Sequence, residues 1–131
     1  MVLHPEFTAN PYVYVAYNYG TSYKGKVVRY TYSSGTLNSP MVLLDQIPAA
    51  SIHNGCRLLI TGGKLFITTG DAADTSTPQN TTSLAGKILR LNLDGTIPSD
   101  NPFPNNAVWS YGHRNPQGLV MAGTKMLSSE H

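Results

Sequence analysis

The stretch Trp109-Ser-Tyr-Gly-His-Arg-Asn-Pro-Gln-Gly118 crowds aromatic, cationic and amide groups just ahead of a short apolar run, Leu119-Val120-Met121. A dense polar loop feeding a strand adds little to a core and puts donors where a ligand can reach them. Arg114 offers a rigid fork of N–H groups suited to a carboxylate or a developing oxyanion. Earlier in the chain stand His53 and Asp71. A histidine backed by a carboxylate is a recurrent general base, because the carboxylate fixes the tautomer and stabilises the imidazolium that forms on proton uptake. Each residue also has a plainer use: His53 as a loop histidine bonded to a carbonyl, Asp71 as a turn cap after Thr-Gly, and Asn115-Pro116 as a turn dipeptide. What decides between these uses is whether the chain brings the residues together.

Composition limits the scaffold. The 131 residues give room for one modest domain, and only 12% are charged, with 12 Gly, 9 Pro and 8 Tyr. β-branched and aromatic residues between frequent turn signals predict an all-β protein. A formal charge of +2 without a Lys/Arg cluster gives no footprint for nucleic acid. The lone Cys56 excludes an intrachain disulfide and a cysteine-based zinc site. No apolar run approaches a membrane span, and no signal peptide precedes the first strand. Met1-Val-Leu-His-Pro5 reads like the end of an element, so the chain reads as a piece of something longer.

Strands are expected over 12–17, 26–32, 41–45, 57–61, 64–69, 87–93, 107–111, 118–121 and 124–129, with a two-residue hairpin at Gly62-Gly63 and no amphipathic helix. Several of these segments recur. Leu59-Ile-Thr-Gly-Gly-Lys-Leu65 aligns with Val120-Met-Ala-Gly-Thr-Lys-Met126, and Val27-Val-Arg-Tyr30 with Ile88-Leu-Arg-Leu91; 125 − 64 and 90 − 29 both give 61. A repeat of that length holding about four short strands describes a β-propeller blade, and this chain holds about two blades of a fold that takes roughly 4–8 to close.

Blade geometry then predicts a site. The innermost strand leaves one face of the disc and the next strand returns to it, so the start of the first and the end of the second share a channel mouth. His53 and Arg114 hold equivalent places in successive blades, again 61 apart (114 − 53). His53, Asp71, Arg114, Asn115 and His131 are therefore expected around one rim. His113 and Tyr111 are expected to pack or support, and Trp109 to be structural at a blade edge. Other motifs are weak: Gly62-Gly-Lys64 lacks the rest of a phosphate loop, and Asp71-Ala-Ala-Asp74 does not continue into a calcium loop.

The runs Ser83–Pro98, Asp100-Asn-Pro102 and Tyr111-Gly-His-Arg-Asn-Pro-Gln-Gly-Leu119, together with His4-Pro-Glu-Phe7, Asn10–Tyr14 and Thr69-Gly-Asp71, resemble the soluble quinoprotein glucose/sorbosone and aldose sugar dehydrogenases. The resemblance implies a six-bladed propeller, incomplete in this chain, that binds pyrroloquinoline quinone (PQQ) and calcium and oxidises the anomeric carbon of aldoses. It further implies a periplasmic or secreted protein. By motif, His53 corresponds to the general base, Asp71 to its orienting partner, Arg114 to the group that polarises the quinone oxygen, and Asn115 and His131 to cofactor contacts. No metal ligand is expected within the chain, since the Gly-Pro carbonyls that would ligate calcium follow His131. The family's His-x-Gly-Gly reads His53-Asn-Gly-Cys56 here. An isolated piece of this length is expected neither to bind quinone tightly nor to turn over. Two other readings stay open at this point: a non-catalytic module binding carbohydrate or protein at the channel mouth, and a truncated product with no function of its own. The sugar, the electron acceptor and the oligomeric state are not legible.

Overall fold

The computed structural model describes residues 1–131. It contains ten strands and no helix. β1 (Val2–Leu3), β2 (Tyr12–Tyr19), β3 (Lys24–Ser33) and β4 (Thr36–Pro48) form one antiparallel sheet in chain order. β5 (Leu58–Thr61), β6 (Lys64–Thr69), β7 (Lys87–Asn92) and β8 (Val108–Tyr111) form a second, and β9 (Pro116–Ala122) pairs with β10 (Lys125–Glu130). The first strands of successive sheets, β1, β5 and β9, lie against one another or against the neighbouring sheet's second strand. This is the architecture of propeller blades, present here in part. The two ends of the sequence repeat occupy equivalent strands: Arg29 lies in β3 and Arg90 in β7, Lys64 opens β6 and Lys125 opens β10.

Local chemistry explains the elements. Thr61 pairs with Lys64 across Gly62-Gly63, whose φ angles are +55° and +69°. Two consecutive left-handed residues make the turn whose twist matches a hairpin, and glycine adopts them without a Cβ penalty. β6 is buried from Leu65 through Thr69 with no alternation, because sheets cover both of its faces. Leu65, Ile67, Leu89, Leu91 and Val108 form the core of the second sheet, and Tyr14 and Val27 of the first sheet pack into it. Each such side chain contributes about 2 kcal/mol by leaving water. The two sheets are also pinned by Tyr14, whose hydroxyl donates to the Leu93 carbonyl at 3.2 Å.

One strand is much longer than its sequence suggests. β4 runs thirteen residues, where only 41–45 read as strand. It is an outer strand, so Pro40 loses no ladder bond it needs. The left-handed residues Ser39 (φ +49°) and Gln46 (φ +57°) and the register shifts against β3 break up the periodic pattern. Asn101, in a motif noted above, is structural: it is buried, and its side chain bonds the Arg90 carbonyl, the Asn106 carbonyl and the Arg90 guanidinium.

Candidate active site

His53 lies in the loop between β4 and β5. Asn54 closes that loop on itself, accepting from Ala50 N–H at 2.9 Å and donating to the Ala50 carbonyl at 2.8 Å. His53 sits in the left-handed region at φ +57°. Its carbonyl accepts from Ala72 N–H at 3.2 Å, and it lies so close to Gly70 that a Cβ there would stand 1.8 Å from it. Only glycine permits this approach, which carries the His53 loop directly over the end of β6.

That approach brings His53 Nδ1 to 2.9 Å from Asp71 Oδ1. Asp71 is 3% exposed, and the same oxygen accepts Ala73 N–H at 2.8 Å. The Ala73 amide reaches back because Ala72 (φ +55°) and Ala73 (φ +61°) are both left-handed. With a carboxylate on Nδ1, the neutral imidazole carries its proton there and leaves Nε2 as an acceptor.

The next blade supplies the cationic side. Asp71 N–H donates to the Arg114 carbonyl at 2.8 Å, and Asn115 Oδ1 accepts from Gly55 N–H at 3.1 Å. Asn115 is buried, and with Oδ1 engaged its amide N–H groups are the free donors. Arg114 Nη1 lies 2.6 Å from His131 Nδ1. A guanidinium only donates, so His131 accepts at Nδ1 and carries its proton on Nε2. The two imidazoles, 6.2 Å apart between ring centroids, thus have opposite polarity: one is an acceptor and the other a donor.

All five residues singled out in the sequence meet here. His53, Asn115 and His131, with Ile52 and Gln117, line an open cleft of about 330 Å³. Three clefts of 390–410 Å³ elsewhere contain no histidine. No group of three or more His, Cys, Asp or Glu side chains converges as a metal site. Trp109 stacks at a blade edge, 4.6 Å from the Arg90 guanidinium and edge-on to Phe66. Tyr111 packs edge-on against Phe103. Cys56 holds a left-handed φ of +67°, its N–H bonded to the Thr68 carbonyl, and burial pushes its thiol up.

Two residues to which the sequence reading gave no role are firmly held in the structure. Lys87 is fully buried, with its ammonium on the carbonyls of Thr77 (2.9 Å), Pro78 (3.1 Å) and Ala85 (2.5 Å), and burial pulls its pKa down to about 8. Glu130 bonds Arg114 N–H with one oxygen and His113 Nδ1 with the other, at 3.0 Å. Loss of solvent works to raise its carboxyl; hydrogen bonds from His113 and from the Arg114 and Asn115 amides outweigh that and hold it below the usual range. Neither has a local sequence signal, since their partners lie 2 to 17 residues away in loops.

Comparison with known proteins is decisive. The family model described as Glucose / Sorbosone dehydrogenase matches residues 1–131. The chain belongs to the glucose/sorbosone dehydrogenase family. Among members of the family, quinoprotein glucose dehydrogenase B of Acinetobacter calcoaceticus is 37% identical over 97% of this chain. Aldose sugar dehydrogenase of Escherichia coli strain K12 is 37% identical over 92% of it. The chain spans 34% and 36% of those two relatives. The PQQ-bound aldose sugar dehydrogenase of Streptomyces coelicolor is similar in structure, with a TM-score of 0.90 and 36% identity, covering 98% of this chain and 40% of that one. The apo-form of the Escherichia coli soluble aldose sugar dehydrogenase gives a TM-score of 0.92 at 31% identity, covering 42% of that chain.

Proposed function

We propose that these residues form about two blades, and part of the active centre, of a quinoprotein oxidoreductase that oxidises aldose sugars at the anomeric carbon with PQQ as acceptor. The observation that carries this reading is the His53–Asp71 pair, 2.9 Å apart and nearly buried, whose imidazole lines one cleft together with His131, the residue that holds Arg114. A module that only binds has no use for an imidazole held by a buried carboxylate.

The donor set fits PQQ, a planar quinone bearing carboxylates: a guanidinium, the amide of Asn115 and the Nε2–H of His131 are matched to anionic and carbonyl oxygens. When bound, PQQ supplies a two-electron acceptor for hydride. His53 takes the proton of the sugar's anomeric hydroxyl at Nε2, while Asp71 stabilises the imidazolium that results. With that proton on His53, the anomeric carbon would be set up to release hydride, and its two-electron oxidation would leave a lactone. Arg114 stabilises negative charge on an oxygen facing it, at the edge of the cleft, with its bond to His131 already in place. These residues do not fit calcium. That ion takes six to eight oxygen ligands, whereas imidazoles and a guanidinium converge here, and no step of the chemistry on these residues runs through it.

The reading extends to a periplasmic or secreted location. No helix of the structure is long and apolar enough to cross a membrane. The 131 residues alone bind quinone weakly and do not turn over. The test is dye-linked aldose oxidation by the full-length protein with PQQ and calcium. His53→Ala lowers the rate by about 10²–10⁴; equal rates in the two proteins would remove His53 from the mechanism.

A further inference from the structure

A second hydrogen-bonded chain runs behind the cleft and crosses from one blade to the next. Ser110, on the outer strand β8, places Oγ 2.8 Å from His113 Nε2. His113 Nδ1 meets Glu130 at the end of β10, and the other oxygen of Glu130 takes Arg114 N–H. Serine, imidazole and carboxylate in this order form an acyl-transfer triad in hydrolases, where main-chain donors hold the oxyanion. Here the neighbouring amides are committed. Gly112 N–H bonds the Pro78 carbonyl at 2.9 Å, His113 N–H the Gly86 carbonyl at 3.1 Å, and Arg114 N–H the Glu130 carboxylate. The chain therefore holds something in place, and what it holds is Arg114.

The ladder shows why a side chain is needed there. The register of β9 against β10 shifts between Ser129 and Glu130, so that Glu130 stands opposite Pro116, which has no N–H to donate. Beyond Pro116 the pairing continues only as His131 N–H to the Asn115 carbonyl, 3.3 Å. Without the carboxylate, Arg114 N–H would have no strand partner at the point where the main chain must aim the guanidinium at His131.

We infer that Glu130, backed by His113 and Ser110, is a positioning residue for Arg114, fixing its main chain so that the guanidinium reaches His131 at the edge of the cleft. The inference rests on the reading of Arg114 as the cation of the PQQ site. Glu130 sets the guanidinium's direction and His113 sets the carboxylate's, while Ser110 holds the imidazole from the older blade. Arg114 is exposed, and its guanidinium is otherwise held through His131, at Nδ1 and at the main-chain carbonyl (3.0 Å), so its aim depends on where the main chain of both residues stands.

The test uses the full-length protein with Glu130→Ala, Glu130→Gln and Ser110→Ala, read in two ways. The first is the NMR of the Arg114 guanidinium N–H groups, which exchange slowly only when held. The second is fluorescence titration with PQQ. Glu130→Ala broadens or loses the guanidinium signals and weakens PQQ by about tenfold, the scale of one hydrogen bond to a charged group. Glu130→Gln, which keeps an acceptor for Arg114 N–H, restores the signals and affinity to within about threefold; Ser110→Ala gives the smallest change. Guanidinium signals in Glu130→Ala that match the parent protein would overturn the inference, as would a Glu130→Gln no better than alanine. A parent protein that does not bind PQQ sinks the functional reading instead, and the guanidinium spectra still decide the role of Glu130.

Discussion

Asp71 is tied to Arg114: its N–H donates to the Arg114 carbonyl at 2.8 Å, while its carboxylate holds His53 at 2.9 Å. Asp71 of one blade is thus anchored on the residue that leads into the next. The packing of the two blades therefore sets the distance between the imidazole and the guanidinium.

The charge of Asp71 can be separated from its shape. Asp71→Asn keeps the size and can still accept from His53, yet it removes the negative charge that stabilises an imidazolium. We expect the rate of aldose oxidation in the full-length protein to fall by about 10²–10⁴, with thermal unfolding shifted much less. An unchanged rate would mean that proton transfer does not pass through this pair.

Gly70 and Gly63 make opposite predictions about why glycine is needed. Gly63 has a left-handed φ of +69° and open space around it, whereas a Cβ on Gly70 would meet the His53 carbonyl at 1.8 Å. Gly63→Ala should cost about 1 kcal/mol from backbone strain alone. Gly70→Ala should cost at least about 2 kcal/mol and should also separate His53 from Asp71. Denaturant unfolding of the two variants, with the His53 imidazole followed by NMR, checks the order.

Cys56 occupies a left-handed position, φ +67°, that glycine fills more easily. Cys56→Gly should stabilise the fold by about 1 kcal/mol, read as a higher denaturation midpoint. In the parent protein, burial raises the thiol's pKa. Alkylation by iodoacetamide near pH 7 should accordingly be slower than for an exposed cysteine peptide.

Lys87 gives the chain a pH signature. Burial lowers its pKa to about 8 from the ordinary 10.5. Between those two values the unfolded chain binds more protons than the folded one, so this group's contribution to stability rises with pH across that window and is flat below it. The burial cost is therefore greatest below about pH 8. Lys87→Met should remove the rise, and by leaving the Ala85 carbonyl without a donor, while Thr77 and Pro78 keep Asn80 N–H and Gly112 N–H, should cost about 1–3 kcal/mol at neutral pH. Unfolding midpoints from pH 7 to 10.5 for the two proteins test both statements.

Much of this architecture was legible in the chain because it repeats. Lys64 and Lys125, or Arg29 and Arg90, mark equivalent strands, and Gly62-Gly63 marks a hairpin whose backbone only glycine adopts cheaply. β4 was legible only in its middle, because an outer strand tolerates Pro40 and left-handed residues that erase the periodic signal. The meeting of His53, Asp71, Arg114, Asn115 and His131 could be anticipated because blade geometry brings the start of each inner strand and the end of its neighbour to one rim.

The sequence by itself determined which residue types reach that rim, since recurrence at a fixed spacing survives any detail of packing. Tertiary structure alone decided their partners: that His53 gives its Nδ1 to Asp71, that His131 gives its Nδ1 to Arg114, and that Lys87 and Glu130 are committed to loop carbonyls and a main-chain amide. Hydrogen bonds are short and directional. Whether a side chain acts as donor, acceptor or anchor therefore depends on ångström-scale placement that no spacing in the chain encodes.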